Sequence, residues 1–281
     1  MFDRFYSRVD IFGELLAKTA LYIGAGQDSY MPSGVQGVLI KDAQSQPYIP
    51  GSSIKGVLRS FLESIQKTDE AACFMGETCT GAYSDGDKRR ELLNDIREPG
   101  MEEEEVFKLA AETIEKLSCD SCRLFGSGRI AGKIKFADAV LVVQNNLFMP
   151  DIRNGVAIDR DTRTAKGRAL FDMETIPAGT RFKLHLIADN LTCNEASLLG
   201  GLLEHFASGG LLLGGRSRSG LGNVSVENLS IQITAKNKGG VPTRLKPEPI
   251  DIDTSNIVDS LTKLLENHFA PQPQDRRKQR V

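Results

Sequence analysis

Three segments place cations among glycines and small polar residues, a combination suited to anionic oxygens. The first is Tyr48-Ile49-Pro50-Gly51-Ser52-Ser53-Ile54-Lys55-Gly56-Val57-Leu58-Arg59. On a helix, Lys55 and Arg59 fall one turn apart on one face. Ser52 or Ser53 is positioned to cap the first turn. A helix N-terminus with a cation one turn in suits an anionic oxygen, although an ordinary capped amphipathic helix has the same pattern. The second segment is Gly214-Gly215-Arg216-Ser217-Arg218-Ser219-Gly220-Leu221-Gly222. Its glycines permit close backbone approach, and its N–H groups and Arg216 and Arg218 suit phosphates. It lacks the lysine-then-hydroxyl ending of a nucleotide-binding loop, which disfavours ATP. A glycine-rich hairpin is the simpler alternative. The third segment, residues 153–168, carries Arg153, Arg160, Arg163, Lys166 and Arg168, partly offset by Asp159 and Asp161. A solvated loop would show the same charges.

The cysteines form another constellation. Cys119-x2-Cys122 has standard thiolate spacing for zinc, and Cys73-x5-Cys79 is a looser second pair. Together they would make a four-thiolate structural zinc site, which would clip an insertion too small for its own core. Reduced buried thiols, or a ligand set only partly cysteine, remain open. Cys193 precedes a helix and is expected to be packed. His185 in a strand, His205 on a helix and His268 near the tail read as structural or exposed.

The elements that must hold these segments follow from periodicity. Residues 5–16 contain alternating Val9 and Ile11, a half-buried strand, followed by extended pieces at 20–23 and 38–40. Ile54, Val57, Leu58, Phe61, Leu62 and Ile65 form one helical stripe. Val106, Leu109, Ala110, Ile114 and Leu117 form another, inside an insertion at 69–122. Residues 133–143 and 181–187 read as strands, separated by the excursion 150–178. Thr192 with Glu195 predicts a capping box opening a helix with stripe Leu198, Leu199, Leu202, Leu203 and Phe206. Residues 224–233 form the last strand, kinked near Asn228, and Ile257, Val258, Leu261, Leu264 and Leu265 mark a C-terminal helix. Without the insertions the order is strand, helix, strand, strand, helix, strand. That predicts an α+β, ferredoxin-like core, a fold that names no function by itself.

Length permits one large domain with ample core: 281 residues carry a net charge of −2. The average hides acids at Glu102 to Glu105 and basic stretches at 153–168 and 214–218, and the local field matters more than the total. No apolar run spans a bilayer and no signal peptide opens the chain. Five cysteines, unevenly spaced, argue against a secreted disulfide framework. A soluble cytoplasmic protein is expected.

Taken in chain order, five pieces bring a family into view. They are residues 48–59, then Cys122-Arg123-Leu124-Phe125-Gly126-Ser127, then Lys135-Phe136-Ala137-Asp138-Ala139. Asn154-Gly155-Val156-Ala157-Ile158-Asp159-Arg160 with Thr162-Arg163-Thr164-Ala165 and the glycine-rich loop complete the set. Across residues 10–230 the chain resembles the RAMP superfamily, specifically the backbone subunits of type III (Csm/Cmr-like) CRISPR effector complexes.

The resemblance implies an RRM-like, ferredoxin-like domain over 1–235 with the cysteine-containing insertion and a β-hairpin thumb at 150–178. A C-terminal extension with a helix occupies 236–270, and a disordered basic tail 271–281. It implies a guide CRISPR RNA bound along Ser52, Ser53, Lys55, Arg59, Gly214, Gly215, Arg216, Ser217 and Arg218. The thumb, with Arg153, Arg160, Arg163 and Lys166, would reach over the guide–target RNA duplex and kink it. Other type III subunits (backbone paralogues, large and small subunits) are implied as partners, with base pairing supplying sequence specificity. Aromatics at 6% and no Trp suit backbone recognition rather than base stacking. Related subunits can carry zinc at the insertion.

In cleaving members an Asp after the first strands cuts target RNA. Aligning Leu39-Ile40-Lys41-Asp42 puts Gln36 at that position, and an amide cannot act as a general base. This points to a non-cleaving subunit. Asp28, earlier in the loop, is the candidate catalytic residue of the alternative, a target-RNA endoribonuclease. A guide-processing RNase is a third reading, and it would require a histidine acid.

Overall fold

A computed structural model describes residues 5–26, 37–66, 97–127, 130–142, 148–159, 161–236, 241–244, 250–252 and 256–268. The strands Ser7–Ala17, Arg181–Asp189 and Val224–Lys236 lie side by side at the centre of its main sheet. β1 (Ser7–Ala17) turns Val9, Ile11, Leu15 and Ala17 to one side, the alternation that buries one face of a strand. A two-residue β2 (Tyr48–Ile49) leads into α1 (Gly51–Gln66), whose Ile54, Leu58 and Leu62 are buried. Then come α2 (Glu103–Leu117), α3 (Asp120–Phe125), β3 (Ile134–Phe136) and β4 (Ala139–Leu141). β5 (Asp151–Ile158) and β6 (Ala165–Thr175) form a separate two-stranded hairpin. β7 (Arg181–Asp189), α4 (Cys193–Ala207) and β8 (Val224–Lys236) follow. β9 (Pro242–Arg244), β10 (Ile250–Asp251) and α5 (Ile257–His268) end the described chain.

The main sheet is antiparallel and runs β10-β8-β1-β7-β4-β2, with β3 also on β7 and β9 also on β8. α1 and α4 supply Ile54, Leu58, Leu199, Leu202, Leu203 and Phe206 to one continuous core with the inward residues of β1, β7 and β8. The predicted capping box forms as a reciprocal pair: Glu195 N–H donates to the Thr192 hydroxyl at 3.3 Å and Thr192 N–H to the Glu195 carboxylate at 2.9 Å. α5 packs on α4 so closely that a Cβ on Gly200 would lie 2.8 Å from the Val258 Cα.

The expected kink near Asn228 is a β-bulge. The register steps from Phe12↔Ser230 to Glu14↔Glu227, leaving one extra residue on β8 opposite Gly13. Asn228 absorbs it in the left-handed region, at φ 52°.

Several sequence expectations change. Cys193, expected to be packed, is exposed as the first residue of α4, where its side chain faces solvent at the helix start. Ile65 leaves the inner stripe of α1 and is 53% exposed, because the core contact ends at Leu62. The strand at 133–143 is broken into β3 and β4, because the chain at Asp138 turns its carboxylate to the start of α1 and accepts the Gly51 N–H at 2.8 Å. Leu109 does not join the inner stripe of α2; Val106, Ala110 and Ile114 are buried while Leu109 is 37% exposed. A short surface helix needs only one row of apolar residues inward. Residues 69–96 of the insertion and the tail 271–281 lie outside the described residues.

Candidate nucleic-acid interface

Where β1 ends, a narrow ribbon begins. Residues 21–25 lie antiparallel to 37–41, tied by Gly24↔Leu39 and by Ile40 N–H to the Ile23 carbonyl at 2.9 Å. Three features converge on it. The glycine-rich loop hangs from its first limb, with Gly215 N–H donating to the Tyr22 carbonyl and Gly222 N–H to the Ala20 carbonyl, each at 2.9 Å. The hairpin arm is stitched to both limbs, through Leu21↔Ile176 and Gly37↔Met173. The second limb continues past Pro47, which bridges Lys41, into β2 and α1. Asp28 and Gln36 belong to the segment between the limbs and lie outside the described residues.

The glycines of the loop are required by space. A Cβ on Gly214 would lie 2.3 Å from the Tyr22 carbonyl oxygen, and one on Gly222 would lie 2.2 Å from the Leu213 carbonyl oxygen. Both also have positive φ, 81° and 90°. Arg216 is left-handed at φ 57° and starts a 3-10 turn, Ser217–Ser219. Arg216 and Arg218 are exposed and Ser217 is half-buried. The loop is therefore a sterically constrained turn on which Arg216 and Arg218 are exposed.

At α1 the cap differs from the sequence expectation. Asp138, rather than Ser52 or Ser53, takes the Gly51 N–H, and Ser53 N–H donates to the Pro50 carbonyl at 2.9 Å. A carboxylate already occupies the positive end of the helix, so that end is not an open anion site. Ser52 is exposed and Ser53 half-buried. Lys55 is half-buried, and among the described residues no carboxylate lies in ion-pair range of it. Arg59 faces inward instead: its Nε donates to Glu63 and its Nη1 to the Gly126 carbonyl, both at 2.8 Å. Glu63 also accepts from Ser121, so this cluster joins α1 to α3.

On the arm, Arg153 in β5 is exposed opposite Met173, and Lys166 lies on β6. Arg163 is exposed in the connecting turn with φ 54°, and Arg160 lies outside the described residues. Asp159 organises that turn, its carboxylate accepting from the N–H groups of Asp161 at 2.9 Å and Thr162 at 3.1 Å. Those donors, Thr162 first, hold its pKa below the ordinary aspartate value. Ile152 and Val156, four residues apart on β5, are 60% and 45% exposed.

The sheet face away from the helices carries ion pairs that composition does not reveal. Asp189 joins Arg8 at 2.7 Å and Lys135 at 2.9 Å, while Arg181 joins Glu14 and Glu227 at 3.0 and 2.7 Å. His185 contacts Asp10 at 3.1 Å and stacks on Phe12 with ring centroids 4.6 Å apart. A face laced with charge pairs, its Phe12 ring already stacked, is poorly suited to base stacking.

Cys119 is the N-cap residue of α3 and half-buried, and Cys122 lies buried within that helix. Cys73 and Cys79 lie outside the described residues. Among the described residues no three potential ligands cluster for a metal. The Cys119 and Cys122 thiols share one short turn, which suits half of a tetrahedral thiolate set.

An antiparallel sheet with α1 and α4 packed on its core face, a two-stranded hairpin arm and a glycine-rich loop make up an α+β fold. Among the described residues no helix is long and apolar enough to cross a membrane. The family comparison agrees: the RAMP superfamily model matches residues 14–225, and the chain belongs to that superfamily. Three relatives, each named "CRISPR system Cms endoribonuclease Csm3", are similar to it. The protein of Methanothermobacter thermautotrophicus is 48% identical over 61 residues, covering 21% of this chain and 25% of the relative. That of Enterococcus italicus is 41% identical over 58 residues, 20% and 27% of the two chains. That of Methanocaldococcus jannaschii is 23% identical over 266 residues, 90% and 92%. The first two matches thus span about a quarter of their relatives' length, and the third spans nearly all of it.

Sequence reasoning did not single out Tyr22, Glu174 or Asp138 as supports of the ribbon, arm and helix start. Asp138 stood within a family motif without a role. Tyr22 and Glu174 matter through contacts far apart in sequence, which leave no spacing signal.

Proposed function

We propose that this chain is a guide-RNA-binding backbone subunit of a type III CRISPR effector complex. Lys55, Gly214, Gly215, Arg216, Ser217 and Arg218 hold the guide's sugar–phosphate chain, with Ser52 and Ser53 beside them. The arm, with Arg153, Arg160, Arg163 and Lys166, lies over the guide–target duplex and bends it. Exposed Ile152 and Val156 suit a wedge between base steps. The observation that carries this reading is the ribbon, which gathers the glycine-rich loop, the arm and the lead into α1 at one end of the sheet. The strand order also supports a ferredoxin-like core: numbering the four main strands in chain order (β1, β3 with β4, β7, β8), the sheet reads 4-1-3-2. The partners are guide RNA, target RNA and neighbouring subunits, in the cytoplasm. Zinc on Cys73, Cys79, Cys119 and Cys122 fixes the insertion.

Lys55→Glu or Arg216→Glu should lower guide affinity about equally for guides of unrelated sequence, because phosphates carry the binding. Filter binding with several guides checks this; unchanged affinity in both variants refutes the site.

Gln36 in place of the cleaving Asp argues for a subunit that does not cut. A second reading, target-RNA cleavage through Asp28, is favoured by the endoribonuclease names of the relatives. Asp28→Ala in the reconstituted complex with labelled target separates the two: products that persist unchanged exclude Asp28.

A further inference from the structure

Glu174, next to the last residue of β6 at the foot of the arm, contacts the ribbon through both its backbone and its carboxylate. Its N–H donates to the Gly37 carbonyl at 2.7 Å, and Gly37 N–H returns a bond to the Asp172 carbonyl at 3.0 Å. Its carboxylate accepts the Leu39 N–H at 3.2 Å and pairs with Lys41 Nζ at 2.8 Å. The pair is largely covered, the Lys41 and Glu174 side chains being 27% and 17% exposed. The arm also approaches as near as a glycine allows: a Cβ on Gly37 would lie 2.8 Å from the Met173 Cβ. Tyr22 completes the joint. Its carbonyl holds Gly215 of the phosphate-facing loop, and its hydroxyl lies 3.1 Å from that same Gly37 Cβ position.

The chain of contacts therefore runs from Arg216's loop through Tyr22 to Gly37, and from Gly37 and Leu39 through Glu174 to the arm. A hairpin joined to its domain by backbone bonds alone can rock, because exposed backbone bonds open at low cost. A partly buried ion pair that also satisfies a backbone donor resists that motion.

We propose that Glu174, paired with Lys41, is a positioning residue that clamps the arm at a fixed offset from the loop gripping the guide. The clamp thereby fixes which base step of the duplex is bent. This rests on the backbone-subunit reading given above. Glu174 touches no nucleic acid in this role; it acts through the placement of β6.

The test uses the reconstituted complex with target RNAs carrying 2-aminopurine at successive positions, beside amide hydrogen exchange on the full chain. The wild type should give one bright, unstacked position per subunit footprint. Glu174→Ala should spread that signal over neighbouring positions while guide affinity stays within about twofold, and exchange at 37–41 and 172–176 should speed up about tenfold. The charge swap Lys41→Glu with Glu174→Lys should restore the single bright position, which general destabilisation would not allow. A sharp, unmoved signal in Glu174→Ala overturns the clamp, as does a guide affinity that falls in step with the signal. If the wild type shows no bright position, the bending reading fails and the clamp's role falls with it. If exchange alone is unchanged, the clamp fails while the bending reading stands.

Discussion

Individual side chains here divide between those that face outward with charge and those whose charge is used inside. Asp189 is of the second kind. Burial alone would raise its pKa, but hydrogen bonds from Arg8 and Lys135 outweigh that and leave it below the ordinary aspartate value. A carboxylate with a depressed folded pKa contributes stability that is present above its unfolded value, about 3.9, and is lost as pH falls through the folded one. Urea melts at descending pH should therefore show Asp189→Asn less stable than wild type at neutrality. The difference should be full above the unfolded value and shrink as pH falls through the lowered folded one. Curves that stay parallel across that range would show that the carboxylate charge contributes nothing.

At the level of elements, α1 carries Arg59 into a structural cluster and, on the proposed reading, Lys55 toward the guide. Arg59→Ala should cost about 1–3 kcal/mol in urea unfolding, since the Glu63 carboxylate and the Gly126 carbonyl each lose a donor. It should leave the salt dependence of guide binding nearly intact. Lys55→Ala should do the reverse, reducing the slope of log affinity against log salt by about 0.7, one contact's worth for a single strand. A second junction is the pair between Lys133, just before β3, and Glu195, the capping residue of α4. Lys133 Nζ donates to both carboxylate oxygens, at 2.9 and 2.8 Å, and the Glu195 side chain is only 3% exposed. Lys133→Met leaves that buried charge without its cation, the Thr192 N–H still donating to it, and equilibrium unfolding should register a loss of about 3–5 kcal/mol. A loss below 1 kcal/mol would mean that Glu195 finds water or another partner.

For the whole molecule, the proposed zinc on Cys73, Cys79, Cys119 and Cys122 would link two stretches of the insertion. Elemental analysis of the purified chain should give about one zinc per copy, and Cys119→Ser should lower it, with a fall in thermal stability that added chelator reproduces in wild type. Metal-free wild type with an unchanged melting temperature would leave the cysteines as packed thiols. The sheet as a whole resists use as a base-stacking platform, because its open face is crossed by the Asp189, Arg181 and His185 pairs. On the proposed reading, binding falls instead to the glycine-rich loop and the arm.

Periodicity in the sequence was sufficient to place β1, α1, β7, α4, β8 and α5, because burying one face of a strand or helix forces apolar residues into period two or period 3.6. The Thr192–Glu195 capping box and the bend at Asn228 were legible for the same local reason: short-range geometry constrains neighbouring residue types. Arg216 and Arg218 on a glycine-shaped turn were legible as well. The tertiary structure alone decided that Asp138 caps α1, that Arg59 turns inward, and that Glu174 and Lys41 fasten the arm to the ribbon. Each of those depends on residues dozens of positions apart meeting in space, and a pairing made by the fold imprints no spacing on the chain.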